Sequence, residues 1–278
     1  LIPQQLGGGL GQVVAQLSEM DPPKVQAPSL EGANTWVSYA LLLGCGAAIY
    51  PQAIQRLYAS RSVAVLKRSL ALMAFMPLTT TLVALVCGLT AAVVLPDLTK
   101  AESEQVLARL CALVMGESAL GYWLVVAIFA AVLAALMSTA DSALLSISSM
   151  FTKDIYLPYL RPQATEAELT KVGKLCSWVI VALLVAVAIG TDATLVRLLE
   201  LKFEVLIQVV PCFFLGLYWK RLGARTALVG MVCGLAVALG LTFGGKPMIW
   251  GFHAGVLGLV VNAAVCAVGT LCKPATSP

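Results

Sequence analysis

Charge is what this chain has least of. Only 12% of its 278 residues are Asp, Glu, Lys or Arg, where a soluble domain carries about 25%. With 60% hydrophobic residues, that scarcity excludes an ordinary soluble domain and leaves a polytopic membrane protein. The net charge of +4 comes from dispersed basic residues, so no nucleic-acid partner is expected. Histidine is nearly absent: His253, in the segment GFHAG, is the only one. A Ser-His-Asp triad would have to use it, and no GxSxG, Walker loop or HExxH pattern occurs. No enzyme activity is expected. The eight cysteines (Cys45, Cys87, Cys111, Cys176, Cys212, Cys233, Cys266 and Cys272) contain no CxxC pair. No transition-metal site is expected, and they read as small buried apolar residues. The start, LIPQQLGGGLGQ, has no basic stretch followed by an apolar core. It does not read as a signal peptide, and it resembles the middle of a longer chain.

What is abundant is apolar runs of roughly membrane length, ~17–25 residues. Seven spans are predicted: Thr35–Tyr50, Leu70–Leu95, Tyr122–Met150, Val172–Gly190, Phe203–Trp219, Thr226–Phe243 and Ile249–Leu271. The fifth is expected to begin earlier, near Thr194, with a charged first turn. Residues 1–33 form a polar lead-in; Gln12–Met20 is expected to be a short amphipathic helix stopped by Asp21-Pro22-Pro23. Leu98–Met115 is expected to cap the outside as a second amphipathic helix. The ends of spans one, three, five and seven carry twelve basic residues: Arg56, Arg61, Lys67, Arg68, Lys153, Arg161, Lys171, Lys174, Lys220, Arg221, Arg225 and Lys273. The other side carries four: Lys24, Lys100, Arg109 and Lys246. The bias places the N-terminus outside and the C-terminus in the cytoplasm.

The third span carries an anomaly. Within Ala134–Tyr156, Ser138, Ser142, Ser146 and Ser149 fall on one helical stripe, flanked by Thr139 and Asp141. An oxygen-rich face with an ionisable group on a spanning helix reads as a lining for something polar. Elsewhere, Gly44-Cys45-Gly46 weakens span one ahead of Pro51. Arg197, Glu200 and Glu204 share a face at the start of span five, where an ion-pair network at the outer mouth is one reading. Gln208 and Pro211 suggest a bend further along.

The block MSTADSALLSISSMFTKDIY resembles the eighth core helix of the sodium/solute symporter family. IYPQAIQRLYAS resembles the segment ending its sixth core helix, FFLGLYWKRLGARTALVGMVCG the junction after its tenth, and MIWGFHAGVLGLVVNA a helix beyond the core. The resemblance implies an all-α membrane protein with a leucine-transporter-like fold. The chain would hold the second inverted repeat, core helices six to ten at 34–219, plus two further helices at 220–278; the lead-in would lie outside the membrane. The N-terminal half would be missing, making this a fragment. By residue, the hydroxyls of Ser138 and Thr139 and the carbonyl of Ala135 match ligands of the coupling sodium ion. Hydroxyls and helix carbonyls suit a hard cation without fixing charge on it. Asp141 and Ser142 match a second ion site. Cys45, Gly46, Ala47 and Glu200 match substrate-facing positions. Small residues at Gly46 and Ala47 depart from sugar-transporting members, so the expectation leans away from sugar. Two alternatives stand beside these assignments: the hydroxyls could bond back to carbonyls four residues earlier, and Asp141 could serve a polar helix contact.

The expected function follows: sodium-coupled import of a small organic solute across the cell membrane by alternating access, with the bilayer and the missing half as partners. The alternatives are a transporter-like sensory module and an inactive truncated product.

Overall fold

The computed structural model describes residues 8–20, 27–96, 98–191 and 194–272. Asp21-Pro22-Pro23, Lys24 and Lys273 lie outside them. The described chain is helical except for one two-stranded hairpin.

Polar side chains cap six of the twelve described α-helices. The helix α1 (Leu10–Glu19) covers the amphipathic segment expected at Gln12–Met20. In α2 (Leu30–Ala48) the Ser29 side chain accepts from the Gly32 N–H; α3 is Pro51–Tyr58, and Ser62 caps α4 (Val63–Val94) in the same way through Val65. Each such cap satisfies an N–H that the first turn leaves without a partner. The outer segment expected at Leu98–Met115 forms α5 (Lys100–Ser103) and α6 (Val106–Glu117). The long α7 (Ala119–Met150) starts at Ser118 and continues as a π-helical stretch, Phe151–Leu160, before α8 (Glu166–Ile189).

The expected fifth span is not one helix. It is α9 (Leu195–Leu206), a 3-10 turn at Ile207–Val209 and α10 (Val210–Tyr218). Pro211 has no N–H to offer the Ile207 carbonyl four residues back. That carbonyl accepts from the Val210 N–H instead, which is the tighter bond of a 3-10 turn. Then come α11 (Ala224–Phe243), β1 (Met248–Ile249), β2 (Phe252–His253) and α12 (Ala254–Leu271). Thus the last span begins at Ala254, after a hairpin paired Met248 to His253 and Ile249 to Phe252. Its turn residues Trp250 and Gly251 both have positive φ, 52° and 84°, as a type I′ turn requires.

Among the described residues, five helices are long and apolar enough to cross a membrane: α4, α7 with its π extension, α8, α11 and α12. The pair α2–α3 passes the same test together but is bent by 46°. The remaining expected span, the fifth, is the broken α9–α10 segment, which is not among these helices. This is the architecture of an all-α multi-pass membrane protein.

The described residues pack as two units. One comprises 8–20 and 59–191; the other comprises 27–58 and 194–272. In the first, α1, α4, α6, α7 and α8 leave most apolar side chains exposed, as helices facing lipid do. In the second, Leu42, Phe203, Ile207 and Val256 form a buried core, with α11 and α12 in close contact beside it. A Cβ on Gly234 would lie 2.7 Å from both the Asn262 Cβ and the Gly258 carbonyl. That approach explains the small residues.

Candidate functional site

The hydroxyl stripe lies where the sequence places it, on α7, and splits into two halves. Ser138, Thr139 and Asp141 are exposed, Ser142 is half-buried, and Ser146, Ser148 and Thr152 are buried. Thr139 Oγ1 donates to the Ala135 carbonyl at 2.9 Å, and Ser142 Oγ to the Ser138 carbonyl at 2.9 Å. Further down, Ser149 donates to Leu145 O at 2.6 Å and Thr152 to Ser148 O at 2.9 Å. Bonding back by one turn satisfies a hydroxyl inside an apolar helix. It also brings the Thr139 hydroxyl and the Ala135 carbonyl together, one residue from Ser138. These are neutral oxygens within one helical turn, on a face the first unit leaves open. Neutral oxygens of this kind are what a hard cation takes as ligands.

Asp141 stands at one end of a cavity of about 480 Å³ in the same unit. Ser148, Ser149 and Thr152 line it from the α7 side, and Thr170, Gly173 and Ser177 from α8. Lys153 and Glu166, also in its lining, form an exposed ion pair of 3.2 Å. Ser142 does not line this cavity, so the structure does not join it to Asp141 there.

The positions expected to face substrate lie in the second unit. The α2 helix runs through Gly44 and Gly46 and ends at Ala48; the chain breaks at Ile49 and Tyr50 rather than at the glycines. Gly46 is buried, and a Cβ there would lie 2.5 Å from Phe203 Cδ1. Cys45 is half-buried against the core, while Ala47 is exposed. Glu200 sits in a charged group: Arg197 Nη1 is 3.1 Å from its Oε2, and Tyr39 donates its hydroxyl to Oε1. Arg197 is also 3.7 Å from Glu204, so the ion-pair network read from the spacing on α9 is present.

Sequence reasoning missed the rest of this cluster. Ser38 and Tyr39 come from α2, His253 from β2 and Thr242 from α11. Helical spacing signals only neighbours on one element, and His253 is separated from Ser38 by 215 residues. A further polar knot, Gln208 bonded to the Gly255 carbonyl at 2.8 Å and Asn262 to the Gln208 carbonyl at 2.6 Å, ties α12 to the 3-10 turn.

Residues 4–234 match the family described as Sodium:solute symporter family. The chain is similar to the sodium/proline symporter of Haemophilus influenzae, 33% identical over 134 residues, which is 48% of this chain and 26% of that protein. It is 28% identical to the sodium/pantothenate symporter of Haemophilus influenzae over 268 residues, 94% of this chain and 54% of that protein. The sodium/glucose cotransporter of Vibrio parahaemolyticus is 32% identical over 120 residues, 42% of this chain and 22% of that protein. The chain therefore spans about half, or less, of the length of these relatives. No solved structure matches it.

Proposed function

The chain belongs to the sodium:solute symporter family, and from that premise we propose that it forms the second half of a transporter importing a small organic solute with sodium. The family's members are symporters, not enzymes. In our reading the Ala135 carbonyl and the hydroxyls of Ser138 and Thr139 bind the coupling sodium, completed by oxygens from an N-terminal half. Asp141 and Ser142 are the candidates for a second ion. The bend after Ala48, with Cys45, Gly46 and Ala47 just before it, and Glu200, bonded to Tyr39 further back on the same helix, border the solute path. The driving energy is the sodium gradient plus the membrane potential, about 2.3 kcal/mol per charge per 100 mV.

One observation carries this reading: a 32-residue apolar helix carries Ser138 and Thr139 side by side in its exposed middle, with Ser142 one turn further on. Polar groups facing lipid are costly, so an oxygen face of this kind calls for a polar occupant. For the solute we favour a small carboxylate over a sugar. The match to the sodium/pantothenate symporter runs along 94% of the chain, and sodium/proline symporters are 33% and 31% identical over shorter stretches. Pantothenate and proline are both carboxylates.

In the intact transporter, Ser138→Ala and Thr139→Ala are each expected to raise the sodium concentration for half-maximal uptake about tenfold, the effect of losing ~1.4 kcal/mol. Thr139→Ser, which keeps the oxygen, should stay near wild type. Uptake of labelled proline, pantothenate and glucose, with and without sodium, identifies the solute. Unchanged sodium dependence in both alanine variants would reject the site.

A further inference from the structure

The second unit closes around a buried group of charges that the sodium site does not use. Arg197 Nη1 lies 3.1 Å from Glu200 Oε2 and 3.7 Å from Glu204 Oε1. Glu204 is fully buried, with Thr242 Oγ1 donating to its Oε2 at 2.6 Å. Its Oε1 has no hydrogen-bond partner. His253 is 1% exposed. Its Nδ1 is 2.8 Å from Ser38 Oγ, and its backbone N–H donates to the same oxygen at 2.9 Å. The Tyr39 ring meets the imidazole edge-on, centroids 4.3 Å apart, and its hydroxyl donates to Glu200. The opposite corner of the imidazole, Nε2, has no hydrogen-bond partner and points at Glu200 Oε1 from 3.8 Å.

Two carboxylates thus share one guanidinium, beside a neutral imidazole. One negative charge is left uncompensated in a group that is mostly buried, which is costly. One bound positive charge relieves it. Arg197, paired with both carboxylates, repels a metal cation, and the described residues hold no cluster of metal-ligating side chains. A proton needs only an unshared lone pair, and His253 Nε2 and Glu204 Oε1 have no hydrogen-bond partner. We propose that His253, Glu200 and Glu204 form a proton-binding site. On uptake of one proton from water, the imidazolium donates Nδ1–H to Ser38 Oγ and Nε2–H toward Glu200. Arg197, 33% exposed, marks the side from which the proton arrives. The site joins α2, α9, the hairpin and α11, so its protonation tightens four elements at once. The other charged side chains on the elements packed here, Glu31, Lys202, Lys246 and Arg225, are exposed, and Lys202 lies over the Tyr50 and Phe203 rings. The proposal stands whether or not α7 binds sodium.

His253 is the chain's only histidine, so its imidazole can be observed alone. The chain, labelled with nitrogen-15 histidine and purified through a tag without histidine, is titrated in lipid nanodiscs from about pH 5 to about pH 9. A reversible proton uptake is expected. Its midpoint should fall by about one pH unit in Glu204→Gln and Glu200→Gln, and rise by about one in Arg197→Gln. Glu200 and Arg197 are part-exposed, so their variants decide the matter if Glu204→Gln does not fold. No titration, or a midpoint unmoved in Glu200→Gln and Arg197→Gln, overturns the proposal. The titration is repeated in sodium chloride and in choline chloride at equal ionic strength. Matching midpoints support a proton site; a midpoint lowered only by sodium shows a sodium ion competing there and overturns it.

Discussion

Thr139 shows how one side chain can serve two ends. Its hydroxyl is bonded to the Ala135 carbonyl, so the helix holds it safely in hydrocarbon, yet the same bond gathers two of the oxygens expected around sodium. The sequence alone left back-bonding and ion binding as alternatives; the structure shows the back-bond, and ion binding is the proposal that the uptake assay tests. Glycines divide as sharply. A Cβ on Gly234 would clash with the Asn262 Cβ and the Gly258 carbonyl at 2.7 Å, whereas nothing lies within 4 Å of a Cβ on Gly240, on the same helix. Gly234→Leu is therefore expected to destabilise the second unit by about 1–3 kcal/mol or more, the cost of overpacking. Gly240→Leu should change stability by less than about 0.5 kcal/mol. Thermal unfolding of both variants in one detergent checks the contrast.

At the scale of elements, capping side chains fix where several helices begin, and a proline fixes where one breaks. Ser29, Ser62, Ser118, Thr165 and Thr194 each cap a helix with their own side chain. Pro211 announced a bend that the structure realises as a 3-10 turn. The hairpin was hidden because Met248–His253 is apolar and merges with the run that follows; only the Trp250-Gly251 turn separates them. The short helix α5 carries a capping box, with the Thr99 N–H and hydroxyl and the Arg109 guanidinium all donating to Glu102. The Thr99 N–H first, then its hydroxyl and Arg109, pull the Glu102 carboxyl down from 4.5 to about 2. A carboxyl held below its unfolded value stabilises the fold above that value. The stability is lost as pH falls from about 4.5 through about 2. Amide exchange at Glu102 should be slow and flat above about pH 5 once intrinsic rates are removed, and its protection should fall below that. Thr99→Ala should expose the same amide at neutral pH.

For the whole molecule, the basic residues at helix ends make a prediction of orientation. Lys67→Cys and Arg161→Cys, in a background without other cysteines, are expected to react with an impermeant label only from the cytoplasmic side. Labelling from outside would reverse the topology. The chain covers 54% of the sodium/pantothenate symporter, and alternating access moves one helix bundle against another. Residues 1–278 alone in liposomes are therefore expected not to accumulate proline or pantothenate under a sodium gradient, while co-expression of an N-terminal half restores uptake. Accumulation by the chain alone at the intact transporter's rate would show that residues 1–278 suffice.

Composition and apolar runs by themselves determined that this is a multi-pass membrane protein and where most of its long helices run, and helical spacing that α7 carries an oxygen stripe; the all-α fold was implied by the family resemblance. Those properties are local: each depends on a residue and its neighbours within one or two turns. The tertiary structure alone decided that Gly46 packs against Phe203 and that the second unit joins 27–58 to 194–272. It also decided that His253 meets Ser38 and Glu200, and that Glu204 is buried with one oxygen unpaired. Such contacts join residues far apart in the chain, and they are set by which helix faces fit together. No spacing within a single element carries that information.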